Sequence, residues 1–198
     1  MKQKLAKADS LNERRRLAAI ASPSRMEIIG ALRTHGPRSI RELAAQLDRP
    51  ADGLYHHVRT LLKAGILVER GQRKVGRRTE VVYELTAERI AGRLDPKSAQ
   101  SKAAAVRAGS AALRLAHREF RTAIENDALT LTRGLPNIRV SRQKVWLTDK
   151  GLVELHRLLG QVEQLLTADS NVKRGRPHAI TIVLAPCVKR RVFRHGAR

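Results

Sequence analysis

A chain of 198 residues has room for one domain with extensions or for two small ones, and 40 Lys plus Arg against 18 Asp plus Glu leave it a formal charge of +22. That excess points to a polyanionic partner without specifying a fold. Aromatic residues, at 3%, are too sparse for single-strand binding on stacked bases, which favours duplex DNA, and the sole cysteine, Cys187, excludes an internal disulfide.

Neither a secretory leader nor an apolar run of membrane-spanning length is legible, so the expected location is the cytoplasm, with no membrane contact. No glycine-rich phosphate loop, H-E-x-x-H or nucleophile elbow appears, so no catalytic residue is assigned and the chain is not expected to be an enzyme.

Residues Met1 to Asp9 are basic and carry no assigned role. From Ser10 a helix is predicted to about Ala21, after which Ser22 caps and Pro23 opens a second, with Met26, Ile29 and Leu32 inward and His35-Gly36-Pro37 as its stop. Ser39 and Glu42 have the spacing of a capping box, so a third helix starts near Ile40. Its apolar residues Ile40, Leu43, Ala44 and Leu47 repeat at three and four, and Asp48-Arg49-Pro50 ends it, because the residue before a proline is pushed out of the helical region.

A fourth helix follows at once, from Ala51 to Ala64. Leu54, Val58, Leu61 and Leu62 form one apolar stripe, while Asp52, His56, Arg59 and Lys63 lie opposite, flanked by Tyr55 and Thr60. A solvated amphipathic helix would show the same pattern. The helix, tight turn and helix together favour the arrangement in which one helix crosses the phosphates and its partner enters the major groove. Gly65 closes the helix, Ile66 to Arg70 reads as a strand, the direction changes at Gly71, and Glu80 to Leu85 alternates as a second strand. Between them Arg70, Arg73, Lys74, Arg77 and Arg78 stand without an acid, a basic wing suited to phosphates or an adjacent minor groove, or else a plain basic hairpin.

Two stretches, LYHHVRTLLKAGILV from Leu54 to Val68 and LAAIASPSRMEIIGAL from Leu17 to Leu32, carry a resemblance to the ArsR-like winged helix-turn-helix transcriptional regulators. The resemblance covers about the first half of the chain. It implies groove-facing residues at Asp52, Tyr55 and His56 and a wing tip from Arg73 to Arg78. Asp52 departs from the small hydroxyl residue common there, and capping the helix is its simpler task. The expected DNA contacts are Arg49, Ala51, Asp52, Tyr55, His56, Arg59, Lys63, Arg73, Lys74, Arg77 and Arg78. Many relatives sense metals through paired cysteines or histidines, but one cysteine, isolated His117 and His156, and adjacent His56 and His57 offer no such pair, so neither metal nor cofactor is expected.

Past the wing, Thr86 to Leu94 reads as a short helix, Asp95-Pro96 breaks it, and Ser98 caps a long helix to about Asp127. Val106, Leu113 and Phe120 recur at seven, interleaved with Ala103, Ser110, His117 and Ile124. The seam is to be buried in this subunit or, preferably, against a second copy, with Val106, Leu113, Phe120 and Ile124 as dimer contacts. Ile138 to Leu147 reads as a strand or strand pair. Thr148 caps a helix with Leu152, Leu155, Leu159, Val162 and Leu166 on one face, and Ala179 to Ala185 reads as a short buried strand.

The resulting fold is mainly α with a small β component (α+β). A winged helix-turn-helix domain spans residues 10–94, a helical or α/β dimerisation or sensing module 98–186, and a basic tail 187–198. Lys173 to Pro177 matches an AT-hook core but equally an exposed loop. The expected function is that of a homodimeric, sequence-specific double-stranded DNA-binding repressor, with room for an unknown small-molecule effector. The alternatives are a nucleoid- or RNA-associated basic protein that binds without sequence preference, and a protein-interaction winged helix.

Overall fold

The computed structural model describes residues 12–87, 94–126, 129, 136–172 and 176–187. Helix α1 covers residues 12–20, followed by α2 (Pro23–His35), β1 (Arg38–Ser39), α3 (Ile40–Leu47), α4 (Ala51–Lys63), β2 (Leu67–Val75), β3 (Arg78–Leu85), α5 (Ala99–Glu125) and α6 (Asp149–Val172). This is an α+β winged helix with a long helical extension.

Each boundary in the first half has a local cause. Pro23 sits in the first turn of α2, where its missing N–H costs nothing, and Gly36, at φ 76°, donates its amide to the Leu32 carbonyl to close that helix. Ser22 stands at the cap position, but its side chain makes no capping bond; the stop-and-restart comes from backbone and proline alone. The capping box forms as its spacing predicts: the Glu42 amide donates to Ser39 Oγ at 3.3 Å, and the Ser39 amide to Glu42 Oε2 at 2.8 Å. Asp48 then takes the left-handed conformation, φ 50°, that ends α3 two residues before Pro50.

The stripes read from the sequence meet in one core. Ile28 and Ile29 from α2, Leu43 from α3, and Leu54, Val58 and Leu61 from α4 pack with Ile66, Leu67 and Tyr83, all buried. Each fully buried aliphatic side chain is worth about 1.5–3 kcal/mol. Met26, expected inside, is only half-buried, and Ile28 takes that place.

The sheet has three strands in the order β1-β3-β2, all antiparallel. The chain does not reverse at Gly71. β2 runs on to Val75, and the reversal is a two-residue hairpin in which Val75 faces Arg78 across Gly76-Arg77. Gly76 holds φ 60° while Arg77 stays outside the left-handed region, the arrangement of a type II′ turn, whose twist matches the flanking strands. Gly71, at φ 151°, marks instead a bulge, because the register slips by one residue between Glu69 and Gly71. β1 adds a two-residue edge, Arg38 opposite Tyr83 and Ser39 opposite Val82.

Ser98 caps α5 by accepting the Ser101 amide. This helix buries Ser101, Ala104, Ala108 and Ala111, a stripe of small side chains at spacings of three, four and three that suits a close approach, and it packs on α2. Val106, Leu113, Phe120 and Ile124 face outward, each at least 41% exposed. Thr148 Oγ1 accepts the Gly151 amide at 3.1 Å and starts α6, which also lies against α2 and extends to Val172.

Two expected strands are absent from the sheet. Residues 138–147 and 176–187, the latter including Ala179 to Ala185, run without helix, turn, bend or ladder, and apart from a half-buried Ile138 their apolar side chains are exposed. The physical reason is a missing neighbour, since a strand exists only when a second one satisfies its backbone groups. The short helix expected at Thr86 to Leu94, the start of the first helix at Ser10, the basic part of Lys173 to Pro177 and the tail beyond Val188 lie largely outside the described residues.

Candidate nucleic-acid interface

Helix α4 is held by its buried stripe, and that orientation decides what the other side presents. Asp52, Tyr55, His56, Arg59 and Lys63 are all exposed, Tyr55 at 52%, along a helix of thirteen residues, about 20 Å long. Ala51 opens the helix and is half-buried. No side chain caps this helix at Pro50, so Asp52 supplies the one carboxylate of its first turn, where the helix dipole favours negative charge. The Thr60 hydroxyl is already engaged, donating to the His56 carbonyl at 2.9 Å.

The wing stands beside that row. Its strands are exposed from Val68 to Thr79, and the hairpin tip carries Lys74, Arg77 and Arg78. Between wing and helix lies an open groove of about 440 Å³, lined by Ser39, Arg41, Tyr55, Arg78, Glu80 and Tyr83 among others. Arg41, which sequence reasoning missed, sits on its rim with Nε 3.6 Å from Glu80 Oε1. Burial pushes the Tyr83 hydroxyl above its ordinary value, with Glu69 and Tyr55 adding to the effect.

The cations fall into two groups. Arg59, Lys63, Lys74, Arg77 and Arg78 make no ion pair among the described residues and are available to phosphates without breaking one. Arg70 pairs with Glu84 at 3.3 Å, and Arg73 Nη2 lies 2.5 Å from Glu42 Oε2. Desolvation raises the Glu42 carboxyl, but the Ser39 amide, Arg73 and Arg38 outweigh it and hold it below the usual carboxylate range. Arg73 therefore ties the wing to the capped start of α3.

Arg49 turns inward. Its Nη2 lies 2.7 Å from Glu27 Oε2, an ion pair whose angle falls short of a hydrogen bond, and its Nη1 donates to Ser24 Oγ at 2.8 Å. Glu27 Oε1 also accepts from Arg118 of α5. One carboxylate thus joins the turn before α4 to the long helix. Next to it, burial and the charges of Arg25, His56 and Arg49 push His57 below its ordinary imidazole value, and its Nδ1 is buried without a hydrogen-bond partner. A neutral, packed His57 leaves His56, whose ring stands edge-on at 5.6 Å, as the exposed imidazole.

Among the described residues no group of three or more His, Cys, Asp or Glu side chains is placed to hold a metal ion, and no helix is long and apolar enough to cross a membrane.

Residues 20–70 match a family described as a helix-turn-helix domain, a stretch that begins at the end of α1 and reaches into the wing. No curated protein is similar enough to the chain to count as a match. The likeness thus falls on the helices and first wing strand that carry the exposed row.

Proposed function

We propose that this chain is a sequence-specific double-stranded DNA-binding transcriptional regulator of the ArsR-like kind, acting as a homodimeric repressor in the cytoplasm. α4 enters the major groove, where Tyr55, His56 and Arg59 reach base edges, and Lys74, Arg77 and Arg78 hold phosphates or the adjacent minor groove. The observation that carries the reading is the exposed row from Asp52 to Lys63, kept outward by Leu54, Val58 and Leu61 and bordered by Lys74, Arg77 and Arg78, which make no ion pair among the described residues.

Two copies are needed because one winged helix reads a short site. A two-fold pair reads half-sites about 34 Å apart and gains affinity from both. Val106, Leu113, Phe120 and Ile124, exposed on α5, supply an apolar contact for that pair. Repression then follows from occupying the operator. Asp52 makes no capping bond, and its carboxylate in the first turn favours the positive end of the α4 dipole rather than a base.

The test is binding over a salt series to a palindromic site selected from host DNA and to a scrambled duplex. A regulator prefers its site by about 10³-fold or more. A coating protein, the reading that the charge of +22 would favour, shows a steep salt dependence without preference. A protein-interaction winged helix binds neither duplex.

A further inference from the structure

The part of the chain beyond residue 136 encloses no core of its own. Among its described residues none is buried. On α6 the expected stripe is covered in part, with Leu155, Leu159 and Leu166 half-buried, whereas Val153, Leu158 and Leu165 on other faces stay exposed. The flanking segments are barer still: Trp146 is 104% exposed, Val140 76% and Ile182 53%. Neither 138–147 nor 176–187 forms a backbone hydrogen bond with any other described segment.

A β-branched run that forms no backbone hydrogen bond with another described segment and leaves its apolar side chains in water has the makings of half a β-pairing. The chain's own edges among the described residues are poor partners: β1 has two residues, and β2 belongs to the wing that the proposed function gives to DNA. Charge narrows the choice of occupant further. Ala179 to Ala185, AITIVLA, contains no ionisable side chain in a chain of net charge +22, and α6 holds four acids against two bases. Most of this surface repels a second copy; this strip does not. It equally offers nothing to a polyanion. An apolar run alternating Ile180, Ile182 and Leu184 is also self-complementary in antiparallel pairing, as a two-fold axis requires. The apolar side chains left exposed on 138–147 and 179–185, with Trp146 at 104%, present on the order of several hundred Å², the scale that each partner contributes to a stable interface.

We infer that residues 179–185, with 138–147 alongside, pair with the same segments of a second copy to close an intersubunit β-sheet covered by α6. This deepens the homodimer of the proposed function and gives it a contact separate from α5.

The experiment is amide hydrogen exchange on the full chain at protein concentrations above and below the dimer dissociation constant, with mass followed by analytical ultracentrifugation. The expected result is slow exchange at Ile180 to Leu184 that is lost on dilution together with the dimer. Slow exchange retained by the monomer would mean pairing within one chain, and rapid exchange in the dimer would mean no pairing; either overturns the inference. Ile182→Asp, which removes nothing from the core, should raise the dimer dissociation constant roughly tenfold or more. An unchanged constant counts against the sheet. Binding of the Ile182→Asp monomer to a single half-site is measured in parallel. Loss of all duplex binding by the wild-type chain would remove the regulator reading while leaving the exchange result to decide the sheet.

Discussion

Arg49 offers the sharpest separation of fold from function, because it lies in the turn that leads into α4 yet its guanidinium points at Glu27 and Ser24. The pair is mostly enclosed, with side-chain exposures of 30% and 16%. Replacing Arg49 with alanine removes a charge-assisted hydrogen bond to Ser24 and an ion pair to Glu27, and leaves Glu27 with Arg118 alone. A buried pair broken on one side costs about 3–5 kcal/mol and an exposed one about 0–1, so this partly screened site should cost about 2 kcal/mol. In urea that is a midpoint lower by roughly 1 M for a typical slope. The companion variant is Arg77→Ala at the wing tip. It should leave the unfolding free energy within about 0.5 kcal/mol of wild type and reduce the salt dependence of DNA binding by up to about 0.9 in logarithmic slope. Equilibrium unfolding and a binding titration at four salt concentrations measure both. If Arg49→Ala instead kept its midpoint and lost salt dependence, Arg49 would be a phosphate contact and the inward geometry would not describe the working molecule.

Other outcomes follow from the same structure. Ser39→Ala should cost about 2 kcal/mol in denaturant unfolding, since it removes the cap of α3 and the hydrogen bond that Ser39 Oγ donates to Glu80 at 2.5 Å, leaving that carboxylate with Arg41 alone. Burial and neighbouring cations depress His57, so the unfolded chain takes up its proton first; stability should fall as pH drops from about 6.5 through the depressed value, and His57→Gln should flatten that slope. Glu119 is shifted the other way, by burial and by Glu27 against the opposing pull of Arg118, so the fold keeps its proton longer than the unfolded chain. Its charged form therefore weakens the fold above the raised value, and Glu119→Gln should be the more stable protein at neutral pH, with the gain gone below about pH 4. Leu113→Asp should yield monomers in sedimentation, and an unchanged sedimentation coefficient would remove α5 from the dimer contact.

What the sequence showed depended on the range of the interaction. Capping at Ser39, Ser98 and Thr148 was legible because each bond spans three residues. So were the buried stripes of α3 and α4, since periodicity is local and a single core absorbs both. The inward turn of Arg49 was not, because Glu27 lies 22 positions before it and Arg118 is separated from Glu27 by 91. A basic residue in a helix-turn-helix turn reads as a DNA contact until its partner is seen. The α5 seam was half legible: a seven-residue repeat of large side chains marks the outward face, while the face against α2 was carried by alanines too common to stand out. Strand propensity at 138–147 and 179–185 was real in composition but lacked a neighbour within the described chain.

The extra residue between Glu69 and Gly71 has one more effect. Beyond it Arg73 stands opposite Glu80 and Lys74 opposite Thr79, whereas an unbroken ladder would set Arg73 opposite Thr79 and turn it to the other surface of the ribbon. The tie to Glu42 exists only in the shifted frame. The wing is thus governed by a parity as well as by its cations: pairing Arg70 into an unbroken ladder would keep the hairpin's basic composition while exchanging inner and outer side chains along the rest of β2, whereas deleting Arg70 would straighten the strand and leave Arg73 opposite Glu80.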